Sequence, residues 1–230
     1  RVEELIGTVP AKVKGMLDLM NTKTCPDTKI GLQCSKPYDC DLAESCWKFL
    51  PEGNIFELYY VSKKKAFGLL DEGVMKISEL PSSFKVSEKQ KIQLKEEIHL
   101  DKEAIKGFLD SLKEPYYYMD FESYQTAIPS FEGGWPYQQI VFQYSVHVNG
   151  DHHEFLGREL DCQQELYLEL KKVLGDSGSI IVFSKSFEIG RLRELGKMFE
   201  DMDWVESAIS RIVDLRDVFS NFYIFNPKQK

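Results

Sequence analysis

The chain has 230 residues, 43% of them hydrophobic and 13% aromatic, which excludes a disordered polymer and leaves ample length for one large or two small packed domains. A formal net charge of −8 argues against a general nucleic-acid coat, since phosphate contacts need Lys and Arg, but it suits acids gathered around bound cations. No apolar run approaches the roughly 18 to 20 residues that cross a bilayer, and residues 1–20 carry charges throughout, so a soluble, cytoplasmic protein with no membrane partner is expected.

Val2, Leu5, Ile6 and Val9, then Val13, Met16, Leu17 and Met20 after Pro10, keep helical spacing and predict two helices with a break at the proline. Residues 21–50 lose that periodicity and hold four of the five cysteines, Cys25, Cys34, Cys40 and Cys46. A helix-rich stretch follows. Lys63 to Glu72 is expected to stop at Gly73, Ser87 with Gln90 fits a capping box, and Asp101 can cap a helix with Ile105, Phe108, Leu109 and Leu112 on one face. The Lys63–Lys65 run is read as a solvated helix face.

From Tyr116 strands and helices alternate. Tyr116 to Glu122 is the first strand; Ile140 to Val148 is paired through the turn Asn149-Gly150-Asp151 with His153 to Leu156. Leu166, Leu170, Val173 and Leu174 stripe a helix, Ser179 to Phe183 is a short buried strand, and Phe187, Leu192, Leu195 and Phe199 stripe another helix. Ile212 to Leu215 is the fifth strand. The predicted order is βββαβαβ, an α/β fold.

On a strand, Asp120 and Glu122 at i and i+2 share one face, with Phe121 turned away. Two such carboxylates suit Mg²⁺ or Mn²⁺; taken alone, Asp-x-Glu is better read as a solvated strand end carrying two acids. His147, His152 and His153, flanking the hairpin turn, are expected to be surface or cross-strand residues. Cys162 is read as a packing residue.

The strand order, with Asp120-Phe121-Glu122 on its first strand, resembles the ribonuclease H-like 3′-5′ exonucleases of the DnaQ-like superfamily. The resemblance implies a mixed five-stranded sheet with flanking helices and two-metal hydrolysis of a phosphodiester at a DNA or RNA 3′ end. The family's His-Asn-x-x-Phe-Asp motif is matched by Phe183-Ser184-Lys185-Ser186-Phe187-Glu188, so Glu188 replaces the third acid, and Phe187 is kept. Asp214 falls where the family has an Asp-Thr pair and is given a structural role. Phe121 and Tyr124 are candidates to stack on a terminal base, core packing being the other fate of Phe121. The family's fourth acid and general base lie on a later helix that is not in this sequence, so the chain is expected to be a fragment with little activity of its own.

A longer stretch, DFESYQTAIPSFEGGWPYQQIVF from Asp120, with Gln143, Ser145 and His147, is similar to an uncharacterised bacterial family that joins a RecB-like nuclease module to a DnaQ-like exonuclease. Gly133 and Gly134 in it permit a sharp turn or close backbone approach. Residues 31–47, GLQCSKPYDCDLAESCW, are similar to the segment that closes RecB-like modules carrying an iron-sulfur cluster. That resemblance implies Cys34, Cys40 and Cys46 as thiolate ligands of a 4Fe-4S cluster, with Cys25 as a substitute fourth. Zinc at the same cysteines and free thiols are the other two readings.

The expected organisation is a RecB-like tail over 1–50, a helical connector over 51–114 and the exonuclease domain over 115–230. The expected function is a metal-dependent 3′-5′ exonuclease in a longer protein. The counter-reading is a catalytically degenerate module that binds nucleic acid or serves as a scaffold.

Overall fold

The structure, a computed structural model, describes residues 2–24, 27–36, 38–159 and 162–228. The chain divides into two compact units, 1–86 and 87–230. Among the described residues no helix is long and apolar enough to cross a membrane.

In the first unit, helices α1 (Val2–Ile6) and α2 (Val9–Met20) are separated at Gly7-Thr8 rather than at the proline. Pro10 lies in the first turn of α2, where a missing N–H costs nothing because that turn has no intrahelical acceptor for it. Glycine, with its larger backbone entropy, is the breaker. A 3₁₀ turn at Leu32–Ser35 and the short helix α3 (Ala43–Cys46) follow. Helix α4 (Lys63–Asp71) is capped by Ser62, whose hydroxyl accepts the Lys65 N–H at 3.3 Å, and is stopped by Gly73 at φ +86°. Ile55, Leu58, Ala66 and Leu69 form a small core. Beside them Trp47, Phe56 and Phe67 meet edge to face with centroids 4.7, 5.9 and 4.8 Å apart. Lys63, Lys64 and Lys65 are exposed.

The second unit opens with α5 (Glu88–Leu94), where Ser87 and Gln90 form the expected capping box. The strand β1 (His99–Leu100) leads to α6 (Lys102–Asp110), capped by Asp101 through the Ala104 N–H at 3.0 Å. The main sheet is built from β2 (Tyr116–Tyr124), β3 (Ile140–Val148), β4 (Asp151–Leu156), β5 (Ser179–Val182) and β6 (Ile212–Asp214). Its order is β4-β3-β2-β5-β6. Pairs β2–β3 and β3–β4 are antiparallel, whereas β2–β5 and β5–β6 are parallel. This is a five-stranded mixed sheet flanked by helices, with the Asp-x-Glu strand in the middle.

Helices α7 (Gln163–Leu174), α8 (Lys185–Met198) and α9 (Met202–Ile209) connect the later strands. Tyr117, Met119 and Phe121 of β2 and Tyr144 and Val146 of β3 pack with Leu166 and Leu170 of α7, Leu192 and Leu195 of α8 and Val205 of α9. Helix α9 is an addition to the predicted order, which placed one helix between the last two strands. The chain continues through α10 (Arg216–Ser220) to β7 (Ile224–Phe225), which pairs with β1 in a separate two-stranded sheet.

Candidate functional site

Strand β2 alternates as its period of two requires: Tyr117, Met119 and Phe121 are buried, while Tyr118, Asp120 and Glu122 are exposed on the other face. Phe121, 3% exposed in the core, is therefore removed as a base-stacking residue, because its ring is spent on packing. Tyr124 is half-buried, tilted over Phe142 with its hydroxyl buried and unpaired. Register shifts between Glu122 and Ser123, a bulge at the end of the acidic pair, the kind of irregularity that re-aims side chains beside functional sites.

The third carboxylate arrives because β5 is short. Its parallel register with β2 ends at Tyr118↔Ile181, and after Val182 the chain turns through Phe183 and Ser184 into α8. Beyond Tyr118 the edge of β2 thus faces the start of a helix. Glu188, in the first turns of α8, fills that position and accepts the Phe121 backbone N–H. It is 2% exposed, and its Oε2 is buried with no hydrogen-bond partner.

Burial, and then the neighbouring Asp120 and Glu122 charges, push the Glu188 carboxyl up to about 8; the Phe121 N–H and Arg191 work in the opposite direction. The structure therefore brings Asp120, Glu122 and Glu188 into one electrostatic neighbourhood, where the middle strand and the strand added beside it part company. Chain order runs outward through β3 and β4 on one side of β2 and restarts with β5 on the other. Such a switch point leaves an opening at the strand ends where ligands commonly bind.

Asp214 ends β6 and has another job. Its Oδ1 accepts the Ser184 and Arg216 N–H groups at 2.9 Å each, and its Oδ2 accepts the Lys185 N–H at 2.8 Å. Burial opposes ionisation, but these three donors and Lys185 outweigh it and hold the carboxyl below its ordinary value. This carboxylate caps α8 from a neighbouring strand. It also holds Ser184 in the left-handed conformation at φ +77°, which costs a non-glycine residue about 1 kcal/mol or more.

Arg191 was not singled out by the sequence reading. One turn along α8 from Glu188 and 9% exposed, it donates Nε and Nη2 to Glu194 at 2.9 and 2.7 Å and stacks over Phe187 with 5.0 Å to the ring centroid. The i,i+3 spacing to Glu194 was legible as a salt bridge, but its burial was not.

The three hairpin histidines are exposed, with His153, opposite Val146, on the other face of the hairpin from His152. His147 and His152 are cross-strand partners with rings stacked at 4.2 Å, and Ser145 Oγ and His152 Nε2 share a hydrogen bond at 3.0 Å. Cys162 is half-buried and stands directly before α7.

In the first unit, Cys34 Sγ accepts the Gly31 N–H at 3.5 Å, the Cys40 N–H bonds the Cys34 carbonyl at 2.9 Å, and Cys46 ends α3, whose first residue bonds the Cys40 carbonyl at 2.9 Å. Cys25 lies outside the described residues. Among the described residues no three His, Cys, Asp or Glu side chains form a ready-made metal cage. At Asp120, Glu122 and Glu188 the fit to a cation rests on donor chemistry. Three hard oxygen donors suit Mg²⁺ or Mn²⁺, and the orphaned Glu188 Oε2 is a buried acceptor that a cation would satisfy.

A family described as a domain of unknown function (DUF2779) matches residues 117–230, which include all three carboxylates. The chain is 30% identical over 173 residues to the "Uncharacterized protein MG366 homolog" of Mycoplasma pneumoniae, covering 65% of this chain and 26% of that protein. It is 28% identical over 132 residues to "Uncharacterized protein MG366" of Mycoplasma genitalium, covering 50% and 20%. It is 29% identical over 123 residues to "Uncharacterized protein UU173" of Ureaplasma parvum, covering 47% and 18%. The chain thus spans about a quarter or less of the length of these relatives. No solved structure matches it.

Proposed function

We propose that the second unit is a ribonuclease H-like exonuclease domain whose parent protein removes nucleotides from a DNA or RNA 3′ end. The observation that carries this reading is Glu188: a carboxyl 2% exposed, with one oxygen unpaired, held beside the Asp120 and Glu122 charges. A buried, uncompensated acid next to two others is costly for stability alone. It makes physical sense as a site kept ready for a cation. Asp120, Glu122 and Glu188 would hold Mg²⁺ or Mn²⁺, which supplies the positive charge that draws an anionic phosphodiester to an acidic surface and stabilises charge developing on its oxygens.

The chain's own residues then do three things. Phe121 N–H fixes the Glu188 carboxylate against the strand edge. Asp214 fixes the start of the helix that carries it. The bulge after Glu122 shifts the register of the strand there and sets the aim of the side chains at that end.

For the first unit we propose a four-thiolate iron-sulfur site using Cys34, Cys40, Cys46 and Cys25, with zinc the competing occupant. Its support is the backbone linkage of Cys34 to Cys40 and the N–H donated to Cys34 Sγ, the kind of hydrogen bond that surrounds cluster-bound sulfur.

The exonuclease reading is tested on the full-length protein with DNA and RNA oligonucleotides labelled at the 5′ end, in Mn²⁺, Mg²⁺ or EDTA. A ladder shortening from the 3′ end, dependent on the cation and lost on Asp120→Ala, is expected. Any upstream nuclease module is to be inactivated first. Trimming that persists in Asp120→Ala would remove this site from the reaction.

A further inference from the structure

We propose that the first unit carries a surface that binds single-stranded nucleic acid, built from Tyr60, Lys63, Lys64 and Lys65 and separate from the carboxylate site of the second unit. Residues 59–65 read Tyr-Tyr-Val-Ser-Lys-Lys-Lys. A solvated helix face ordinarily matches its lysines with acids three or four residues away. Here every position three or four residues from each lysine, on either side, is uncharged. None of the three has an acid partner among the described residues, and all are exposed. They begin α4, whose first turn holds no acid and whose dipole disfavours cations at that end. Asp71, the acid of that helix, lies about 9 to 12 Å further along its axis, beyond the screening length of about 8 Å. Three cations therefore stand unneutralised in a chain whose net charge is −8.

Tyr60 breaks a second local rule beside them. The Val61 N–H closes a turn onto the Leu58 carbonyl at 3.0 Å, and Tyr60, the third residue of that turn, has φ +51°, a conformation that suits glycine and strains a tyrosine. Its ring gains no burial in return: it is 88% exposed and braced edge-on by half-buried Tyr59, with centroids 4.7 Å apart. Local rules that fail together mark a place where function outweighs stability. Lys65 also lines a groove of about 470 Å³, where Ser83, half-buried Phe84 and Lys85 continue the surface against one acid, Glu72. The partner that fits brings anions spaced along a chain and a flat π face. A single strand of DNA or RNA brings both, since its phosphates meet the lysines and any base can stack on an open ring. A duplex keeps its bases stacked inside and an acidic peptide has none, so either would satisfy the lysines and leave Tyr60 unused.

The test is fluorescence anisotropy of the chain in EDTA with labelled oligothymidylate and oligouridylate of about 20 nucleotides, and with a duplex of the same length, over about 50 to 200 mM salt. Expected is tighter binding of the single strands than of the duplex. Changing Lys63, Lys64 and Lys65 together to Gln is expected to weaken single-strand binding about tenfold or more. It should also make the plot of log affinity against log salt shallower by about 2, since each phosphate contact to a single strand contributes about 0.7. Tyr60→Gly relaxes the positive φ while removing the ring; it is expected to weaken binding about fivefold or more with the slope unchanged. Circular dichroism melting checks that both variants fold. Single-strand binding that is absent, that neither variant moves, or that Tyr60→Gly leaves at the wild-type level would overturn the proposal. So would equal affinity for the duplex, or capture by phosphatidylserine vesicles in place of oligonucleotides. Cation-dependent trimming by the parent protein without this binding would sink the surface and leave the exonuclease reading standing; binding without trimming would do the reverse.

Discussion

Glu188→Gln separates the electrostatics of the site from its packing. Glutamine keeps the volume, its Oε1 accepts the Phe121 N–H, and its NH₂ offers donors toward Asp120 and Glu122. In the folded protein the Glu188 carboxyl ionises near 8, against an ordinary value of 4.5. Below pH 4.5 it is protonated in both folded and unfolded chains and imposes no penalty. Between pH 4.5 and 8 the unfolded chain loses the proton and the folded one keeps it, so stability falls as pH rises; above 8 the penalty is constant. At about 1.4 kcal/mol per pH unit, the full displacement is on the order of 5 kcal/mol. Urea denaturation of wild type and Glu188→Gln in EDTA at pH 6, 7, 8 and 9, followed by tryptophan fluorescence, reads the difference. Groups common to both proteins cancel. Glu188→Gln is expected to gain stability relative to wild type by about 1 kcal/mol or more per pH unit up to pH 8. Parallel stability curves would refute the buried, acid-flanked placement of Glu188.

Asp214→Ala removes the acceptor of three backbone N–H groups at the start of α8 and is expected to cost about 3 kcal/mol, a fall of roughly 6 to 12 °C in Tm; a change below 2 °C would contradict its capping role. Gly178→Ala places a methyl 2.2 Å from the Pro115 carbonyl at φ +88°, so destabilisation by at least 3 kcal/mol is expected in the same denaturation assay. Anaerobic purification followed by iron, sulfide and zinc analysis is expected to find iron with acid-labile sulfide, lost on Cys40→Ser. Stoichiometric zinc without iron would replace the cluster by a zinc site.

Local rules carried the sequence reading where the chain obeys them locally. The period of two put Asp120 and Glu122 on one face, Asn149-Gly150 set the hairpin, and Ser87 with Gln90 announced α5. Helix α9 was missed although Met202, Val205 and Ile209 keep helical spacing, because its 8 residues make only about two turns, too few for the period to stand out beside the β-rich Ile212-Val213. The pairing of His99-Leu100 with Ile224-Phe225 has no local signal, since its partners lie at opposite ends of the second unit. For Glu188 the residue type and position were legible. Its burial was not, because it follows from β5 stopping at Val182 and leaving the Phe121 N–H for a helix to satisfy.

The claim on which the rest depends is that Asp120, Glu122 and Glu188 bind a divalent cation together. Calorimetric titration of the chain with Mn²⁺ at pH 8 tests it directly, with Asp120→Asn and Glu188→Gln as comparisons. Saturable binding is expected in the wild type, weakened about tenfold or more in each variant, a loss of at least about 1.4 kcal/mol. No binding, or equal binding by wild type and both variants, would contradict the account.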